Sequence, residues 1–307
     1  MSEQYEIKYV LQKDIDPDKW DDCINKASNG LIYAYSYYLD QMSENWDALV
    51  LNDYEIVMPL TWNSKFGIHY LYQPFIAAEL GVFGNNLNAE IIESFLKSVP
   101  KKFKYWDISL NHGNVFQLNN FSLYNRINYV LDLNKSYEEL YKKYSENIQR
   151  NIKKSEQAGC IAKNDFDPED VIQLALKQMK GYSKNSDDKV ERFRYFYKYL
   201  HANGQAITYG VFSKENKLLS SCVFFFSHHR AYYILVGNDP AGKDVGASHA
   251  VINAFIKDHA GQNMVLDFEG SDIPGLALFY KSFGAREEKY SAIRSNRLPF
   301  YLKWLKK

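Results

Sequence analysis

Cysteine is scarce in this chain. Cys23, Cys160 and Cys222 are odd in number, far apart and in no metal-ligand spacing, which argues against a disulfide scaffold and fits a reducing compartment. No sign of charge prevails: Lys plus Arg and Asp plus Glu are each 37. No global field therefore draws nucleic acid or a membrane, and any basic site has to be a local patch. Long hydrophobic runs are missing too. The strongest, CVFFF at 222–226, is far too short to cross a bilayer. The opening MSEQYEIKYV has neither a basic region nor an apolar run, so no signal peptide is expected and the chain reads as soluble and cytoplasmic. There is no P-loop and no Rossmann glycine fingerprint. The stretch GASHA follows a loop instead of a strand, which excludes a nucleophile elbow. His228 and His229, read as neighbours on a strand, point to opposite faces with no third ligand nearby, so no metal site is expected.

What is present suits a globular protein. The 307 residues are 46% apolar, enough for one large domain or two smaller ones with a sizeable core. Tyr (25) and Phe (19) are abundant, which favours strands and broad apolar clefts. The first part alternates: strand YEIKYVL, helix DPDKWDDCINKAS with Asp16 as cap and Pro17 in its first turn, then a second helix YAYSYYLDQMS. A hairpin DALVLNDYEIVMPLTW, a strand FGIHYLYQP, a helix AEIIESFLKSV and the strands YWDISL and RINYVLDL follow. One long helix is expected over 136–159, opened by a Ser136–Glu139 capping box and closed by Gly159. Two more helices lead to three antiparallel strands, AITYGVFS, LLSSCVFFFS and RAYYILVG. The loop NDPAGKDVGAS then enters the helix HAVINAFIKDHA, followed by the strand NMVLDFEG, the segment PGLALFYKSFGA and a last strand, REEKYSAIRS.

This order repeats itself. Residues 89–110 fall on 249–270 without a gap, with Ile92 on Ile252, Phe95 on Phe255, Lys97 on Lys257 and Asp107 on Asp267. The apolar positions stay in phase, which points to a duplicated α/β unit. After the shared strand the copies differ. The second continues into PGLALFYKSFGA, the first into NHGNVFQLNNFSLYNR, which lacks helical periodicity and has no matching Tyr or Gly. A single active site therefore belongs to the second copy.

Three stretches carry a family likeness. YSENIQRNIKKSEQAG (144–159) resembles the basic helix that opens the second half of Fem-type peptidyltransferases. GKDVGAS (242–248) resembles the phosphate loop of the GNAT acyltransferases, and ALFYKSFGA (277–285) resembles their closing motif. The resemblance implies an α/β (α+β) fold with two GNAT-like mixed-sheet units in tandem, packed about a pseudo-repeat. The expected domains are a degenerate unit at 1–130 and a unit at 131–307 that carries the acyl-donor site.

Each motif has a physical reading. A loop entering a helix N-terminus presents unpaired amides and the positive dipole end to phosphate. Gly246, Ala247 and Ser248 allow close approach and Lys243 adds charge; a plain hairpin-to-helix connection is the competing reading. Tyr280 lies three residues after Ala277 and four before Gly284. The resemblance implies that it protonates the departing thiolate of coenzyme A, while core packing with Leu276, Phe279 and Phe283 is the alternative. Asp267, Glu269, Ser271 and Asp272 cluster at a strand end. Glu269 is the expected base, and Asp267, Ser271 and Asp272 are candidates for holding an amine acceptor. Ser271 or Asp272 equally suits an N-cap before Pro274. By the same resemblance, the backbone of Val236, Gly237 and Asn238 offers N–H groups to the thioester carbonyl. Lys142, Lys143, Arg150, Lys153 and Lys154 make a basic helix that suits either tRNA or plain solvation. The expected activity is acyl transfer from acyl-CoA to an amine by direct attack. An aminoacyl-tRNA donor, disfavoured by the neutral charge, and a non-catalytic binding protein are the alternatives. The acceptor and the oligomeric state are not legible.

Overall fold

The computed structural model describes residues 6–178, 187–270 and 273–299. Ser271 and Asp272 lie outside the described residues. The chain forms two compact units. One runs to Arg126 and resumes at Lys289; the other runs from Ile127 to Glu288.

The first unit opens with β1 (Ile7–Leu11), α1 (Pro17–Lys26), α2 (Ser36–Met42), β2 (Trp46–Leu51), β3 (Ile56–Lys65) and β4 (Ile68–Tyr72). It continues through β5 (Phe83–Gly84), α3 (Ala89–Ser98) and β6 (Phe103–Ser109). The strand β7 (Leu123–Asp132) leads into the second unit, with α4 (Tyr137–Tyr141), α5 (Glu146–Gln157), β8 (Ile161–Asn164), α6 (Pro168–Gln178) and α7 (Asp187–Ala202). Then come β9 (Ala206–Phe212), β10 (Leu218–Ser227), β11 (Arg230–Asn238), α8 (Pro240–Asp244), α9 (Ala247–His259), β12 (Val265–Asp267) and α10 (Pro274–Lys281). The last strand, β13 (Arg286–Asn296), completes the first unit.

Local chemistry explains the helix starts. Asp16 accepts from the amides of Asp18 and Lys19 with Pro17 at the first helical position. Asn88 caps α3 through the Ile91 amide, at 2.9 Å. Burial at i, i+3 and i+4 then fixes the inward face. In α9 this face is Val251, Ile252, Phe255 and Ile256. The Phe255 ring stacks on Phe224 of β10 with centroids 3.6 Å apart. On the other face of that sheet Phe225 packs between Phe193 and Phe196 of α7. Each such buried ring contributes about 1.5–3 kcal/mol relative to exposure.

The two units repeat one topology. The first has strand order β1-β2-β3-β4-β6-β13 and the second β8-β9-β10-β11-β12-β7. Each sheet has a single parallel pair in that run, β4 with β6 and β11 with β12. Tyr72 stands opposite Asp107 in the first pair, and Tyr232 opposite Asp267 in the second. The offset that lays Ile92 on Ile252 also lays Tyr72 on Tyr232 and Asp107 on Asp267. Helix, strand and ladder register therefore agree with the duplication read from sequence.

Several elements depart from the expectation. The long helix at 136–159 is two helices. The Ser145 amide is drawn to the Ser282 carbonyl at 2.9 Å, and its hydroxyl caps α5 at the Ile148 amide. The loop after β11 contains α8, because Asp239 caps it and Pro240 opens it. His228 and His229 form the turn between β10 and β11, both at positive φ, instead of lying on a strand. The short strands β5 and β8 carry too few residues to show a period.

Candidate active site

The parallel pair in the second unit is short. β11 and β12 match only at Arg230–Val265, Ala231–Leu266 and Tyr232–Asp267. Beyond that point the Phe268 amide donates to the Tyr129 carbonyl, and Glu269 and Gly270 turn the chain at φ +65° and +77°. β11 runs on to Asn238 with no partner from β12 among the described residues. It also bulges. Ser221 faces Gly237 and Val223 faces Ile234, so Leu235 and Val236 together oppose Cys222, with Leu235 at φ +49°. The two strands therefore part at their C-terminal ends, with the bulge of β11 beside the gap.

Aromatic rings line this parting. Tyr280 of α10 is buried and stacks on Phe268 at 4.5 Å, and Phe268 meets Tyr233 of β11 edge-on at 6.1 Å. Burial first, then the charge of Glu269, pushes the Tyr280 phenol up to about 12. Residue Glu269 keeps partial exposure overall, but its carboxyl lies deep among protein atoms, so desolvation raises its pKa well above the carboxylate range. Tyr280 and Glu269, singled out from the sequence, are thus brought into electrostatic reach of one another.

Other expected positions fall as follows. Asp267 is buried and held from inside the fold. It accepts from Asn128 Nδ2 at 2.8 Å, from Arg230 at 2.7 Å and from the Glu269 amide at 2.7 Å. Arg230 also binds Glu288, at 2.9 Å. Its burial works against the charge, and the two carboxylates more than offset that. Val236 packs against the core. Gly237 abuts α6, where a Cβ would fall 2.6 Å from the Ala175 nitrogen. The Asn238 amide donates to Gln178 Oε1 at 2.8 Å. Of Val236, Gly237 and Asn238, Val236 lies in the bulge opposite Cys222, while Gly237 and Asn238 stand opposite Ser221 and Ser220.

At the mouth of α9, Gly246 adopts φ +70° with no side-chain cap, and a Cβ there would lie 2.4 Å from the Asn151 carbonyl of α5. Glycine is thus required twice, by conformation and by the close approach of α5. Ala247 is buried, Ser248 half-buried and Lys243 exposed on α8. His249 packs edge-on against Phe279 of α10 at 5.1 Å, and burial lowers its pKa. Lys142, Lys143, Arg150, Lys153 and Lys154 are all exposed, and among the described residues none forms an ion pair. Among the described residues no cluster of three metal-binding side chains occurs, and no helix is long and apolar enough to cross a membrane.

Sequence reasoning missed Arg230, Asn128 and Glu288, which hold the strand end in place. A basic residue opening an apolar strand and an Asn inside RINYVLDL were the available signals, since buried polar groups need partners.

No protein-family model and no curated protein sequence matches the chain. Solved structures do. FemX superposes with TM-score 0.65 at 13% identity, over 97% of this chain and 99% of that one. A conserved protein of unknown function from Bacteroides thetaiotaomicron gives 0.59 at 12%, over 94% and 99%. L-PGS from Bacillus licheniformis gives 0.56 at 10%, over 94% and 95%. The chain has a Fem/GNAT-like fold along nearly its whole length.

Proposed function

We propose that this protein is a transferase that moves an acyl group from a thioester donor, acyl-CoA, onto an amine. The observation that carries the reading is the parting of β11 and β12 beyond Tyr232–Asp267, with Tyr280 and Glu269 beside it. The pantetheine arm lies along the parted edge of β11, with the thioester carbonyl at the backbone of the bulge that contains Val236. The diphosphate meets the uncapped first turn of α9 at Gly246, Ala247 and Ser248, with Lys243 nearby.

The amine lone pair attacks the carbonyl carbon. A C–N bond forms, negative charge builds on oxygen and is held by amide donors, and the C–S bond then breaks. The proton shed by nitrogen passes to ionised Glu269. A phenol near 12 is a weaker acid than an ordinary thiol, so outright donation to sulfur runs uphill. Tyr280 therefore supplies a hydrogen bond to the departing sulfur, and the proton taken by Glu269 returns through it to the thiolate. Asp267 positions this group through the Glu269 amide. Ser271 and Asp272 remain candidates for holding the acceptor.

A second donor is favoured by one observation. The five exposed cations on and beside α5 suit a large phosphate-bearing donor such as aminoacyl-tRNA. Purified protein should be assayed with acyl-CoA and an amine panel, and separately with charged tRNA. Thiol release coupled to amide formation supports the first donor; transfer from charged tRNA alone replaces it with the second. No transfer from either removes the enzymatic reading.

A further inference from the structure

A cavity of about 470 Å³ opens at the sheet end away from the α9 N-terminus. Its lining comprises Asp165, His201, Gly204, Ala206, Ile207, Phe226, His259 and Met264, all within the second unit. The acyl-transfer reading uses none of these residues. Two helices, α7 and α9, end here, with His201 and His259 in their last turns. Helix C-termini carry partial negative charge. Carboxylates reinforce it. Asp165 Oδ1 lies 2.6 Å from His201 Nε2, and Asp258 accepts from the Tyr209 hydroxyl at 2.8 Å, next to His259. Among the described residues the walls hold no Lys or Arg. Nearby Lys257 sets its ammonium over the Tyr137 ring, and Lys163 sets its own over Phe212 while donating to Asn216. The floor is apolar: Ala206, Ile207, Phe226 and Met264. Phe226 and His259 line it with ring centroids 5.9 Å apart, and both also pack on Phe255.

We propose that this cavity binds a small organic ammonium ion with an apolar body, at a site separate from the acyl-transfer centre. Negative helix ends and Asp165 attract the cation, the rings add cation–π attraction, and the floor takes the hydrocarbon. The volume falls in the range of small-ligand sites.

The test uses the full chain and 2-phenylethylammonium, followed by NMR of the histidine ring signals, with 2-phenylethanol as the neutral counterpart. Saturable shifts at His201 and His259 are expected, with the alcohol bound roughly five-fold or more weakly. Asp165 sits at φ +52°, a conformation Asn tolerates, so Asp165→Asn should fold and weaken the ammonium ion by a similar factor. Tyr280→Phe should leave its binding unchanged, which separates this site from an acceptor site at the transfer centre. Equal binding of the alcohol, indifference to Asp165→Asn, loss in Tyr280→Phe, or no shift at either histidine at millimolar ligand would each overturn the proposal.

Discussion

Glu269 is a carboxyl whose pKa burial lifts well above its usual range. The sign of the consequence follows from linkage. Above the ordinary carboxylate pKa the unfolded chain has released this proton while the folded chain still holds it, so the group costs stability as pH rises toward its folded pKa. Glu269→Gln should therefore raise the urea midpoint at neutral pH and change it little near pH 4. Every tenfold gain in proton affinity on folding is worth about 1.4 kcal/mol. The same ionisation makes the base. Acyl transfer should climb with pH as Glu269 deprotonates, and Glu269→Gln should lower kcat/KM about 100-fold and flatten that limb. Tyr280→Phe should lower kcat by a comparable factor with KM little changed, since it removes a contact made to sulfur only as the bond breaks. Steady-state assays across pH would read all three effects. Glu269 and Tyr280 can be proposed from sequence because both lie in one short stretch. Asp267 was not readable as an internally held group, because Asn128 and Arg230 come from strands distant in the chain and only the β7–β12–β11 ladder brings them together.

Among the elements, the parallel pair β11–β12 depends on a buried ion cluster. Arg230→Met would leave the buried Asp267 without its cation, while half-buried Glu288 keeps Arg286 at 3.7 Å. A loss of about 3–5 kcal/mol is expected, read from chemical denaturation. The junction of α5 with α9 depends on Gly246. An alanine there faces both positive φ and a carbonyl 2.4 Å away, so Gly246→Ala should cost about 1–3 kcal/mol and weaken any phosphate-bearing donor. Sequence periodicity found α9 and α3 and their common inward faces, since hydrophobic phase is a local property. It ran through the break between α4 and α5, because Tyr141, Tyr144 and Ile148 keep helical spacing across it. The contact of Ser145 with Ser282, a tertiary event, joins the Ser145 cap of α5 in marking the break.

Across the molecule, two copies of one topology each close with a strand from elsewhere in the chain. β7 follows the first copy yet completes the second sheet; β13 follows the second copy and completes the first. The alternation of RINYVLDL and REEKYSAIRS says strand but not which sheet, so this exchange was beyond pattern reading. Its consequence is specific. A chain ending at Glu288 should lose amide protection in β2 and β3 while β9 and β10 keep theirs, as measured by hydrogen exchange. The central claim concerns the second sheet alone. Amide exchange should be followed at 233–238 and 247–250 with and without saturating acyl-CoA. Slowed exchange at the β11 bulge and the first turn of α9 is the expected result. Unchanged rates there, or protection confined to other strands, would contradict the account.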